Sequence, residues 1–247
     1  MDATKIEPIT LYQFELCPFC HKAKAAFEVK GLPYAKVDVN PYTKAELPPL
    51  PEGAPKKVPV IQSGGETVAD STDILRWLEE RFGDVVPLWP ADPEARRRAE
   101  EIEEWVDERL TQILPAVIYG TWGEAAKAAQ VTAKTSNFGF VQNVMVRAGG
   151  SLIMHQVAKR IVKKLGGGDP HEMLEGELDR LEAWLGPDDY LCGDSVSVAD
   201  VSVHGAFTCI AEFPAFERIQ SRPHVARWYG RVADLREAGR GRVAAAA

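Results

Sequence analysis

The 247-residue chain has few cysteines, no apolar run long enough to cross a bilayer, and no surplus of positive charge. Its four cysteines, Cys17, Cys20, Cys192 and Cys209, are scattered without pattern, so a reducing compartment is expected. The longest apolar candidate, Val141 to Ile153, is interrupted by Gln142, Asn143, Arg147 and Gly149-Gly150, and no membrane span is read there. Met1 to Pro8 holds two acids and no apolar core, so no signal peptide is expected. A net charge of −7 argues against nucleic acid and anionic membrane surfaces as partners. No internal repeat is visible. At 45% hydrophobic and 26% charged residues the chain is an ordinary globular one, long enough for one large domain or two modest ones without disulfides. A soluble cytoplasmic protein is expected.

What the chain does have is concentrated at Cys17-Pro18-Phe19-Cys20. Ile9, Leu11 and Phe14 belong to an apolar run that reads as a buried strand, and Ala23, Ala26, Phe27 and Lys30 recur at helical spacing after it. Pro18 suits the first turn of that helix, where its missing N–H costs nothing. Cys17 then faces unpaired amides and the positive end of the helix dipole, which favours a thiolate and lowers its pKa. Cys20, one turn on, is within disulfide reach and expected to be more buried. One attacking and one resolving sulfur result. Half a zinc site is the competing reading, but Cys192 and Cys209 are single and far apart, so no metal is assigned. His155, His171, His204 and His224 show no triad spacing and are expected at the surface or packed.

Along the chain, Gly31-Leu32-Pro33 closes the first helix and Tyr34 to Val39 alternates as a second strand. Asn40 to Lys57 is proline-rich and reads as loop. Val58 to Ile61 and Glu66 to Ala69 read as a hairpin about Gly64-Gly65, with Pro59 starting its strand in cis. Asp70-Ser71 opens a helix over Thr72 to Phe82. Asp84 to Pro93 is a proline-rich linker, and Glu94 to Tyr119 reads as one long amphipathic helix with Pro115 bending its last turn. Thr121 to Thr135 is polar and small. Phe138 to Leu165 holds one or two helices stopped by Gly166-Gly167-Gly168, and the basic residues before that stop suit a helix C-terminus. Met173 to Leu185 carries another helical face. Ser197-Val198-Ala199-Asp200 is a capping box worth about 1 kcal/mol, with Val196 and Val201 as its staple. Pro223 to Val232 reads as a last helix with Trp228 inward, and Gly239 to Ala247 as frayed.

The β-α-β-β-β-α order with C-P-F-C after the first strand resembles the thioredoxin/glutaredoxin family. That resemblance implies that cis-Pro59 faces the active cysteine and that Val58 offers its backbone N–H and C=O to the cysteinyl part of glutathione. With a helical half joined through a proline-rich linker, the whole resembles the glutathione S-transferase superfamily. Val58-Pro59, Asp70-Ser71 and Leu191-Cys192-Gly193-Asp194 running into the capping box carry this likeness. In that superfamily the acid–serine pair holds the γ-glutamyl group. Ser71 and a helix N-terminus suit a carboxylate and Asp70 an ammonium, although either residue could instead be a simple N-cap. Leu11 to Cys20, Leu32-Pro33-Tyr34, Val37 to Pro41 and Lys57 to Val60 further resemble the microsomal prostaglandin E synthase type 2 family, which isomerises a cyclic endoperoxide with help from a thiol. Phe14 stands where that family has tyrosine, so a phenolic donor is missing unless Tyr12 or Tyr34 substitutes.

The expected fold class is therefore α+β: a thioredoxin-like domain over 1–83, a linker over 84–93 and an all-helical domain over 94–247. The expected function is that of a glutathione-dependent transferase or thiol-disulfide oxidoreductase. Cys17 and Cys20 would be its catalytic pair, and Val58, Pro59, Asp70 and Ser71 would hold glutathione as cosubstrate. Phe14, Pro18, Phe19, Tyr119 and Trp122 would face the second substrate, an electrophile, peroxide or mixed disulfide, with Tyr119 and Trp122 equally readable as core aromatics. No nucleic acid or membrane span is expected, and the resemblance implies a homodimer. Endoperoxide isomerisation and a non-enzymatic module binding glutathione with haem or an iron-sulfur cluster are the alternatives.

Overall fold

In the computed structural model, which describes residues 7–246, the alternation Ile9-Thr10-Leu11-Tyr12-Gln13 forms β1 (Ile9–Gln13), burying every second side chain. It is followed by α1 (Pro18–Lys30), β2 (Ala35–Asp38), β3 (Val60–Ser63), β4 (Glu66–Ala69) and α2 (Ser71–Phe82). The sheet order is β2-β1-β3-β4: β1 pairs parallel to β2 and antiparallel to β3, and Leu11 opposes Ile61, which opposes Val68. Gly31 ends α1 in the left-handed conformation, and the Val58-Pro59 peptide immediately before β3 is cis. The element order expected for a thioredoxin-like unit is the order found.

The helical part comprises α3 (Pro93–Trp105), α4 (Thr111–Ile118), α5 (Trp122–Thr135), α6 (Phe140–Lys164), α7 (Pro170–Leu185), α8 (Val198–Thr208), α9 (Phe216–Gln220) and α10 (Pro223–Ala246). Three expectations are corrected here. The single long helix over Glu94 to Tyr119 is interrupted by a π-helical turn, Val106–Leu110, where the Asp107 carbonyl accepts the Thr111 hydroxyl at 2.9 Å and the Gln112 amide at 3.2 Å. Thr121 to Thr135, read only as polar and small, is a helix, because Thr121 and Glu124 cap each other reciprocally and its alanines pack inward. The end that reads as frayed continues α10 to Ala246. Arg236 and Arg240 bind Glu28 of α1, and the Gly239 backbone lies so close to the Glu28 carbonyl that a Cβ there would overlap it. Residue 247 lies outside the described residues.

The helical spacing in α1 implies one buried face, yet nearly all of α1 is buried, including Lys22, Lys24 and Lys30. The sheet and α2 cover one side while α8 and α10 cover the other. At Gly205 of α8 a Cβ would stand 2.6 Å from the Lys22 nitrogen and Cα, so only glycine allows the backbones to meet there. The lysine side chains reach acceptors. Lys22 Nζ meets Glu103 and both Asp107 oxygens, and Lys30 Nζ reaches Glu79 and the Phe82 and Val86 carbonyls.

Candidate active site

β1 delivers the chain to Phe14, whose carbonyl accepts the Cys17 N–H at 3.1 Å, and Pro18 at the first helical position makes Cys17 the N-cap of α1. The half-buried Cys17 Sγ accepts the Cys20 backbone N–H at 3.4 Å. The Cys20 thiol, the Cys20 and Phe19 amides and the Lys24 charge hold the Cys17 pKa below the usual thiol range, despite the opposing effect of burial. Burial pushes the fully buried Cys20 thiol well above that range, and the adjacent Cys17 adds to it. The two sulfurs are therefore unlike: the one at the helix tip ionises more readily than an ordinary thiol, and the one beneath it less readily. Beside them the His21 pKa is depressed to about 4, chiefly by burial and then by Lys24, so the ring is neutral at pH 7. Its Nε2 lies 2.8 Å from the Glu15 carbonyl, and Lys24 pairs with the Glu15 carboxylate at 3.2 Å.

Across from the helix tip, the Val58 carbonyl lies 3.8 Å from Cys17 Sγ, on the cis Val58-Pro59 step. Val58 and Phe14 also line a pocket of about 210 Å³ with Val39, Pro41, Lys44 and Lys57. Its walls are apolar, and the Nζ of Lys44 donates to the Lys56 carbonyl. Pro18 is buried in the first turn of α1 and Phe19 is half-buried beside it. Val39, Pro41 and Lys44 carry no sequence signal that marks them for this pocket. Lys57 could have been found only by its adjacency to Val58.

Asp70 and Ser71 divide two readings between them. Asp70, at φ 84°, is the N-cap of α2, its Oδ1 accepting the Thr72 N–H at 2.8 Å. Ser71 is buried, and its Oγ has no hydrogen-bond partner among the described residues. A buried hydroxyl left unpaired costs stability, so its presence at a helix N-terminus fits a carboxylate-bearing ligand.

The aromatic candidates separate as well. Tyr119, at the C-terminal end of α4, is half-buried; burial, then the nearby Cys209 and Cys17, push its phenol pKa up, so it stays protonated. It is the phenol that shares the surroundings of Cys17. Tyr12 donates to Gln62 at 2.8 Å and Tyr34 to Glu28 at 3.1 Å, so neither replaces the phenol missing at Phe14. Trp122 is exposed at the start of α5, its ring 4.7 Å from that of His155. The remaining histidines form no triad: His204 is buried against Tyr229 and Arg236. Cys209 is buried as a small apolar residue, and Cys192 is half-buried. Among the described residues no group of three or more histidine, cysteine, aspartate or glutamate side chains could hold a metal ion.

The chain is similar to known proteins. Residues 11–88 match the family model of the glutathione S-transferase N-terminal domain, and residues 171–235 match that of the C-terminal domain. Prostaglandin E synthase 2 of Mus musculus is 24% identical over 91% of this chain and 69% of its own. Glutathione S-transferase U22 of Arabidopsis thaliana is 29% identical over 50% of this chain and 56% of its own. Among solved structures, glutathione transferase F7 from Populus trichocarpa superposes with a TM-score of 0.63 at 18% identity, over 95% of this chain and 99% of that one. Glutathione S-transferase III in its apo form does so with a TM-score of 0.64 at 22% identity, over 96% of both. The two domain models together span more than half of the residues, in the order and at the places where the sheet unit and the helical unit lie, and the chain belongs to the glutathione S-transferase superfamily.

Proposed function

We propose that this chain is a glutathione-dependent transferase whose working group is the Cys17 thiolate, and that it exchanges thiols with glutathionyl mixed disulfides. Ser71 Oγ and the N-terminus of α2 take the γ-glutamyl carboxylate, and the Asp70 oxygen not used in capping takes the ammonium. Val58 pairs its backbone with the cysteinyl unit, and Lys44 and Lys57 take the glycyl carboxylate. Cys17 Sγ attacks the glutathionyl sulfur; a Cys17–glutathione disulfide forms as the original S–S bond breaks, and the electron pair leaves on the departing thiolate. Cys20 then attacks Cys17 Sγ and passes its proton to the released glutathione. The resulting Cys17–Cys20 disulfide is reduced by further glutathione. With a small electrophile in place of a disulfide, the protonated Tyr119 donates a hydrogen bond to it.

The observation that carries this reading is the Cys17 sulfur: N-cap of α1, hydrogen-bonded to the Cys20 amide, and 3.8 Å from the Val58 carbonyl. The test is reduction of a glutathionyl mixed disulfide coupled to glutathione oxidation. Cys17→Ser is expected to lower turnover by about a thousandfold or more, while Cys20→Ser keeps the single-thiol reaction. Undiminished turnover in Cys17→Ser removes the thiolate mechanism. Endoperoxide isomerisation is the second reading, favoured by the likeness to prostaglandin E synthase 2 along most of the chain. Direct turnover of an endoperoxide, with Cys17→Ser as control, separates the two.

A further inference from the structure

The net charge of −7 conceals a sharp segregation. From Ala125 to Gly168, 44 residues, the chain contains none of its 36 aspartates and glutamates but seven of its 29 lysines and arginines. This stretch is most of the α5–α6 hairpin, and α6 turns large apolar residues outward. Its buried residues are Val146, Gly150 and Ala158, with Gly150 set close against Ala129 of α5. Phe140, Val141, Val144, Met145, Leu152 and Ile153 are instead each more than half exposed, Phe140 at 85%. Surface helices of globular proteins turn such residues inward, and Val141, Val144, Met145 and Leu152 fall within one exposed stripe of the kind that marks an interaction site.

The outward line of the helix runs Val141, Met145, Leu152, Lys159, Lys163, so the apolar residues and the cations share one face. Arg160 and Lys164 stand exposed beside its basic end. Trp122, exposed and tilted against His155, adds an amphipathic ring next to this helix.

We propose that α6 is an interfacial helix that docks the protein on an anionic phospholipid surface. Its first half sinks apolar side chains to the acyl boundary, and Lys159, Arg160, Lys163 and Lys164 reach lipid phosphates. Charge complementarity selects this occupant. A second copy seated on the same face brings two acid-free, cationic hairpins together, and a nucleic acid gives the apolar half nothing to bury against. No helix of the described residues is long and apolar enough to cross a membrane, so the contact is one of lying on the surface.

The experiment is co-sedimentation of the full chain with phosphatidylcholine vesicles, with and without phosphatidylglycerol, at low and high salt. Binding is expected only with the anionic lipid and is expected to weaken with salt. Met145→Gln/Leu152→Gln and Lys159→Gln/Lys163→Gln are each expected to lower binding about fivefold or more. These side chains are exposed, so both variants are expected to keep the thermal midpoint of the parent. The proposal is overturned if anionic vesicles do not sediment the protein, or if Met145→Gln/Leu152→Gln binds them as well as the parent does. It is likewise overturned if sedimentation velocity finds a dimer that Met145→Gln/Leu152→Gln abolishes, which assigns the face to a second copy. Binding to a nucleic-acid duplex that depends on Lys159 and Lys163 but not on Met145 and Leu152 assigns the charge to another polyanion and also overturns it.

Discussion

At the scale of single residues, Ser71 separates stability from binding. Its hydroxyl is buried without a partner, so Ser71→Ala removes a polar atom that the fold has to keep dry. That substitution is expected to leave the unfolding midpoint unchanged or to raise it by up to about 1 kcal/mol in stability, while raising KM for glutathione about tenfold. Chemical denaturation and steady-state kinetics on the same preparation check both halves; a destabilised variant with unchanged KM assigns Ser71 to the fold. Asp70 beside it behaves differently because its carboxylate already caps α2. The sequence placed both residues at the helix start but could not say which was cap and which was free. The answer depends on the positive φ at Asp70, which turns its Oδ1 onto Thr72.

At the scale of elements, the same capping chemistry carries very different energies. Asp92 caps the exposed start of α3 by accepting from Glu94 and Ala95, and losing it should cost about 1 kcal/mol. Asp200 fills the same kind of role in the box that opens α8, where the sequence suggests a similar cost. The structure adds partners from elsewhere: the Leu191 N–H at 2.9 Å and the Trp228 indole at 2.7 Å, besides the Ser197 N–H and hydroxyl. Asp200→Ala therefore strands four buried donors and is expected to cost about 3 kcal/mol or more, against about 1 kcal/mol for Asp92→Ala. Urea titrations of the two variants beside the parent measure the difference, and equal costs would show that the buried donors find other acceptors.

At the scale of the whole molecule, the two parts of the chain are joined through α1, and this junction is sensitive to acid. His21 on α1 and His204 on α8 are both buried, each with one ring nitrogen lacking a partner. Burial, with Lys24 beside His21 and Arg236 beside His204, lowers both pKa values, that of His21 to about 4. Folded histidines with depressed pKa values take up fewer protons than unfolded ones. Stability is therefore fully present above the unfolded histidine pKa of about 6.5 and is lost as pH falls from there toward about 4, at up to about 1.4 kcal/mol per pH unit for each histidine. Unfolding free energies at pH 7 and pH 5 should differ accordingly, and His204→Asn should flatten the slope by the share of one histidine. A pH-independent stability over that range would mean that protonated His204 finds an acceptor in the folded state.

The sequence alone determined what depends on neighbours in the chain. The strand before Cys17, Pro18 at the first position of α1, the hairpin at Gly64-Gly65 and the box at Ser197 are local conformational facts, and local spacing carries them. The place of Cys17 at the N-cap of α1 is local in the same way, since Pro18 follows it at the first helical position. Tertiary structure decided what depends on residues far apart in the chain. It buried three lysines of α1 against acceptors from Glu79, Phe82, Val86, Glu103, Asp107 and Glu15, brought Tyr119 rather than Tyr12 or Tyr34 to the neighbourhood of Cys17, and held α10 past Gly239 on the Glu28 carbonyl. Periodicity assigns a residue to a face but not the groups that face will meet. That is why a lysine-rich helix could be a core element and an apolar row on α6 could lie outside.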